Sequence, residues 1–153
     1  MRFVVDAMLG RLAKWLRILG QDTVYSPDLE DQELVRLARA EDRVLLTRDR
    51  ELARRRGLRS LLVESDRLEE QLAQLLRDLN LDLDGPARCA RCNALLQAMD
   101  RSAAKDRVPP YVYRRHRKFT LCPKCDRVYW RGTHWQRMRE RIDQIREGSV
   151  SSS

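Results

Sequence analysis

Val44-Leu45-Leu46-Thr47-Arg48-Asp49 decides how the first half of the chain is read. A run this short and this continuously apolar fits a strand buried on both faces, as in a parallel sheet covered by helices. Three similar runs surround it: Phe3-Val4-Val5, Thr23-Val24-Tyr25 and Leu61-Leu62-Val63. Between the runs, apolar residues recur at helical spacing. Leu9, Leu12, Leu16 and Leu19 precede Gly20, which suits a helix stop; Leu34, Leu37 and Ala38 follow the Pro27-Asp28 turn in a helix ending near Ala40. A short Arg-rich helix from Glu51 to Arg56 meets Gly57, and Leu68, Leu72, Leu75, Leu76 and Leu79 line a fourth helix capped by Ser65 or Asp66. Strands alternating with helices predict an α/β fold: a parallel sheet with flanking helices.

The polar stretch Asp82 to Pro86 is the expected boundary, giving an α/β domain over 1–84 and a second module over 85–147. The tail, 148–153, is expected to be disordered. The second module holds the chain's four cysteines, Cys89-x-x-Cys92 and, after 29 intervening residues, Cys122-x-x-Cys125. A two-residue gap lets both thiolates of a knuckle reach one ion, and two knuckles complete a closed tetrahedral shell for Zn2+. Two disulfides or a redox-active pair are the competing readings; the expected cytoplasmic location disfavours the first and the matched pairs disfavour the second.

Charge separates the same two halves. Residues 1–87 carry 15 basic and 17 acidic side chains, a net of −2, whereas residues 88–153 carry 16 and 6, a net of +10. A compact basic module favours a polyanion, most often nucleic acid. Arg101, Lys105, Arg107, Arg114, Arg115, Arg117 and Lys118 lie between the knuckles with Tyr111 and Tyr113 among them. This pattern reads as a β-hairpin ribbon presenting cations and aromatic faces to a single strand, or as tyrosines completing a small core. Trp130, His134 and Trp135 follow; they either stack on bases or seal the module against the first domain. No segment approaches the length of a membrane span, and the N-terminus has no signal-peptide character. The expectation is a cytoplasmic protein with no membrane role.

The acids need a geometric rule to rank them. In open parallel sheets, ligands bind beyond the carboxyl ends of the strands where strand order switches. Asp6 follows strand one, Asp49 follows strand three, and Asp31 stands near the start of helix two. Three such carboxylates in one crevice would suit Mg2+ or Mn2+ and hydrolysis at a phosphodiester. Each acid also has a plain structural reading, as a helix cap or a strand end. Glu33, Glu64 and Asp66 are possible additions to the set. Arg11, Lys14 and Arg17 recur every third residue just past Asp6 and either hold phosphates or form a solvated face.

Taken in order, Val5-Asp6-Ala7-Met8-Leu9-Gly10-Arg11-Leu12-Ala13-Lys14-Trp15-Leu16-Arg17, Asp31-x-Glu33-Leu34, Leu45-Leu46-Thr47-Arg48-Asp49, the cysteine pairs and Tyr129-Trp130-x-Gly132-Thr133-His134-Trp135 resemble a known family. It is the Mut-seven C-terminal RNase domain family, a PIN-like domain fused to a zinc ribbon. The resemblance spans roughly residues 2–140. It implies a PIN-like α/β fold and Mg2+- or Mn2+-dependent cleavage of RNA, with Asp6, Asp31 and Asp49 as the catalytic, metal-holding acids. It also implies a structural Zn2+ on Cys89, Cys92, Cys122 and Cys125. RNA contacts are expected from Arg11, Lys14, Arg17, Arg48, Trp130, His134 and Trp135. A non-catalytic RNA-binding or adaptor protein is the alternative. A phospho-receiver is disfavoured because no acidic pair follows strand one, and a phosphate-loop NTPase because no Gly-rich loop with Lys-Ser or Lys-Thr is present.

Overall fold

The computed structural model describes residues 1–151, with side chains to 148. The chain divides into two units, Met1–Asn93 and Ala94–Ser153.

The first unit alternates β1 (Arg2–Val5), α1 (Gly10–Ile18), β2 (Asp22–Tyr25), α2 (Asp31–Ala40), β3 (Val44–Thr47), α3 (Arg50–Ala53), β4 (Arg59–Leu62) and α4 (Leu68–Asp78). The four strands are parallel in the order β2-β1-β3-β4. The chain steps from β1 outward to β2, then returns across β1 to β3, so strand order switches between β1 and β3. Phe3, Val4, Val5, Leu45 and Leu46 have no exposed surface. Val4 and Leu45 form one core cluster with Leu34, Val35 and Ala38 of α2 and Leu52 of α3. Each such side chain contributes about 1.5–3 kcal/mol by leaving water, which explains why three-residue apolar runs suffice to place the strands.

Several element ends differ from expectation. The first helix opens with a 3-10 turn, Ala7–Leu9, before α1 begins. It stops as expected: Gly20, at φ +89°, takes the left-handed conformation, and a Cβ there would stand 2.9 Å from the Pro86 carbonyl oxygen. Helix α4 is not capped by Ser65 or Asp66. Arg67 occupies the cap position without a side-chain bond, while the Ser65 hydroxyl accepts from the Arg67 amide at 3.0 Å.

In the second unit, β5 (Gln97–Met99), β6 (Phe119–Leu121) and β7 (Val128–Tyr129) form an antiparallel sheet in that order. The stretch between the cysteine pairs is not a plain hairpin ribbon. It folds into α5 (Arg101–Ala104) and α6 (Pro110–Arg115). Pro110 stands in the first turn of α6, where its missing amide hydrogen costs nothing. Ala104, Val108, Val112 and Phe119 form the core here, with Tyr113 and Trp130 packed against it. The Tyr113 and Phe119 rings stack with centroids 6.4 Å apart. Tyr113 is therefore a core residue, whereas Tyr111 is 57% exposed. The last helix, α7, runs Thr133–Ser151 and buries Met138 and Ile142. Residues 148–151, expected as tail, continue it; 152–153 lie outside the described residues.

Candidate metal centres

The Sγ atoms of Cys89, Cys92, Cys122 and Cys125 all lie within 4.8 Å of one another. Zn–S bonds of about 2.3 Å in a tetrahedron place sulfurs about 3.8 Å apart, so the cluster fits Zn2+. The two knuckles share a local design. Asn93 and Asp126 directly follow their pairs and adopt positive φ, 73° and 57°. Asn and Asp tolerate this conformation better than other side-chain-bearing residues. The turn lets each amide reach back to a cysteine carbonyl, Asn93 to Cys89 and Asp126 to Cys122, both at 2.9 Å. The Cys125 amide also donates to Cys122 Sγ at 3.3 Å, an interaction that favours thiolate charge.

The first knuckle is bound to the sheet by a polar network that sequence reasoning missed. Arg17 corrects an expectation here. It is 6% exposed, and its guanidinium donates to the carbonyls of Thr23 at 2.9 Å, Ala90 at 3.0 Å and Arg91 at 3.2 Å. It braces the knuckle, which withdraws it from the RNA-contact set. Asn93 accepts from the Thr23 amide at 3.0 Å and donates to Asp22 Oδ1 at 2.8 Å. Arg43 donates to the same carboxylate oxygen at 2.9 Å. Burial works to raise the Asp22 pKa. The hydrogen bonds from Asn93 and Arg43, with the charges of Arg43 and Arg88, outweigh it and hold the carboxyl below the usual range.

Asp22→Asn is expected to lower unfolding free energy by about 2 kcal/mol near neutral pH. Because the folded pKa is depressed, the wild-type advantage is present above the unfolded value of about 3.9 and is lost as pH falls through the folded one. Urea melts at neutral and acidic pH check this; a gap that widens on acidification contradicts it.

The second candidate centre lies where strand order switches. Asp6 and Thr47 stand side by side at the carboxyl ends of β1 and β3. Asp6 is 9% exposed. Its Oδ1 accepts from the Ala7 amide at 2.7 Å and its Oδ2 from the Thr47 hydroxyl, also at 2.7 Å. The Thr47 hydroxyl oxygen in turn accepts from the Asp49 amide at 3.0 Å. One hydroxyl thus links the carboxylate of one candidate acid to the backbone of another. Each Asp6 oxygen keeps lone-pair capacity for a cation.

Asp49 does cap α3: its Oδ1 accepts from the Glu51 and Leu52 amides at 2.9 and 3.3 Å. The residue is exposed, and both of these bonds use the same oxygen. Asp31 is not a cap, because Glu30 holds the cap position; Asp31 sits exposed in the first turn of α2. The three acids occupy the carboxyl-end edge of the sheet. Among the described residues, though, only the four thiols gather closely enough to count as a cluster of metal ligands.

The other expected contacts divide by environment. Arg11, Lys14 and Arg48 are exposed. Trp130 is half-buried against the core of its own unit. Trp135 carries the Arg131 guanidinium 4.4 Å from a ring centroid, and His134 is exposed.

The Mut7-C RNAse domain family matches residues 1–142. The chain belongs to that family. Membership supplies an RNase-type activity and an RNA substrate; its four close cysteines suit zinc. No curated protein and no solved structure matches the chain. Among the described residues no helix of this Mut7-C domain is long and apolar enough to cross a membrane.

Proposed function

We propose that this Mut7-C domain is a Mg2+- or Mn2+-dependent ribonuclease. It hydrolyses phosphodiester bonds of single-stranded RNA at the edge formed by Asp6, Asp31 and Asp49. The observation that carries the reading is the buried Asp6 carboxylate, locked by Ala7 and Thr47 at the point where strand order switches. Hard carboxylate oxygens suit a hard divalent cation. Such a cation, when bound, supplies Lewis acidity at the phosphodiester and lowers the pKa of water.

The chain's own residues supply the rest. Asp6 is held in place by the Ala7 amide and the Thr47 hydroxyl. Asp49 keeps one oxygen fixed by α3 and presents the other, and Asp31 adds an uncommitted carboxylate. The basic second unit neutralises RNA phosphates, with Trp130, His134 and Trp135 offered to bases, while Arg11, Lys14 and Arg48 act nearer the acids. The four thiolates hold a structural Zn2+ that leaves no position for substrate.

Cleavage of a labelled single-stranded RNA by zinc-loaded protein tests this, with Mn2+ added or withheld. Cleavage is expected only with the added metal. Salt-dependent binding without cleavage under every metal tried would make the protein an adaptor instead.

The Thr47 hydroxyl has a role of its own in this scheme. Thr47→Val keeps the shape but removes the link between Asp6 and Asp49. The turnover rate is expected to fall about tenfold to a hundredfold, because small misplacement of catalytic groups is costly. RNA affinity should stay unchanged. Single-turnover kinetics separate the two, and wild-type turnover would refute the linking role.

A further inference from the structure

The first unit carries 17 basic and 17 acidic side chains, yet residues 48–59 hold Arg48, Arg50, Arg54, Arg55, Arg56 and Arg59 against Asp49 and Glu51. Helix α3 begins directly after Asp49 and packs beside β4, which closes the sheet on that side. Two adjoining depressions open there. One, of about 340 Å³, is lined by Arg48, Arg50, Leu62, Val63 and Glu64. The other, of about 360 Å³, includes Arg50, Arg54, Ser60 and Leu62. They share Arg50 and Leu62 and so adjoin, together a shallow channel of two parts. Each lies at the small end of the size range of ligand sites, room for about one nucleotide.

Several arginines of this unit are committed to the fold, and those of the channel are not. Arg17, Arg39, Arg43 and Arg59 each donate to protein oxygens. Arg48, Arg50 and Arg54 are exposed and make no side-chain bond among the described residues. Arg50 opens α3 and Arg54 closes it, one turn apart and on one face. Three guanidiniums against one lining acid leave an excess of positive charge, whose mutual repulsion a polyanion relieves. Leu62 and Val63 supply an apolar floor, and Glu64 is the single acid in the lining.

We infer that the channel between α3 and the β4 edge carries the backbone of a single-stranded RNA toward the Asp6–Asp49 edge. Arg48, Arg50 and Arg54 neutralise its phosphates. The identity of the ligand rests on the ribonuclease reading. The α/β unit then grips substrate itself, independently of the basic second unit.

The test uses the full zinc-loaded chain without added Mg2+ or Mn2+, titrated against a labelled oligouridylate over a series of salt concentrations. Each lost phosphate contact lowers the slope of log affinity against log salt by about 0.7 for a single strand. R50Q and R54Q should each lose about that much, and the double variant about 1.4. R36Q, on the exposed face of α2, removes the same charge elsewhere and should keep the wild-type slope. A wild-type slope in the double variant, an equal loss in R36Q, or no binding by the wild type overturns the proposal. A protein that cleaves with Mn2+ but shows no slope change retains the nuclease reading and loses the channel. A double variant with reduced slope in a chain that never cleaves does the reverse.

Discussion

Asp6→Asn is expected to reduce RNA cleavage by about 10²–10³-fold, the scale seen when one pre-positioned electrostatic group is removed from an active site. The variant should still fold. Asn can accept from the Ala7 amide through its oxygen and donate to the Thr47 hydroxyl through its nitrogen, so both bonds made by the Asp6 carboxylate have replacements. What disappears is the negative charge at the end of β1. RNA affinity measured without Mg2+ or Mn2+ should therefore be wild-type or slightly tighter. Cleavage kinetics and binding isotherms on the same preparation separate these effects. A variant that keeps more than about a tenth of wild-type cleavage contradicts a catalytic role for Asp6, since the expected loss is at least tenfold larger.

Removal of zinc is expected to unfold the second unit. Its core consists of Ala104, Val108, Val112 and Phe119 with a few half-buried partners, and its sheet is built from strands of two or three residues. A core of that size does not hold a chain of this length against conformational entropy. Structural zinc contributes about 10–16 kcal/mol in comparable small modules, as much as the whole stability of a typical domain. A strong chelator or Cys122→Ser should abolish the dispersed amide signals of β5–β7. Metal analysis of the untreated protein should give one zinc per chain. A metal-free chain whose β5–β7 signals persist would mean that the thiols are not what folds this unit.

Most of the architecture could be read from the sequence because its determinants are local. Apolar triplets such as Val44-Leu45-Leu46 can satisfy burial only as strands between helices, and Gly20 stops a helix by a conformation few other residues adopt. The cysteine spacing carries its geometry with it. The path between the knuckles was less legible because the cations and tyrosines drew the reading toward a ribbon. Pro109-Pro110, a helix-opening signal, pointed to α6.

Arg17 failed for a reason visible in helix geometry. At about 100° per residue, a spacing of three drifts, and Arg17 lies about 120° around the helix from Arg11. That rotation takes it off the exposed face and under the first knuckle. The Asp22–Asn93 bond joins residues 71 apart, a pairing that no local pattern encodes. For the acids, the switch-point rule selects Asp6 and Asp49 as candidates. It did not find that Thr47 links them, because the link depends on the register of β1 against β3.

In the proposed mechanism the chemistry belongs to a hard cation at the Asp6–Asp49 edge, apart from the zinc of the four thiols. Anomalous diffraction from crystals of the zinc-loaded chain soaked in Mn2+ tests it most directly. The expected result is a manganese peak coordinated by Asp6 and Asp49 carboxylate oxygens, absent from Asp6→Asn crystals, and a separate zinc peak among the cysteines. Manganese bound elsewhere, with the Asp6 and Asp49 oxygens surrounded only by water, would contradict it.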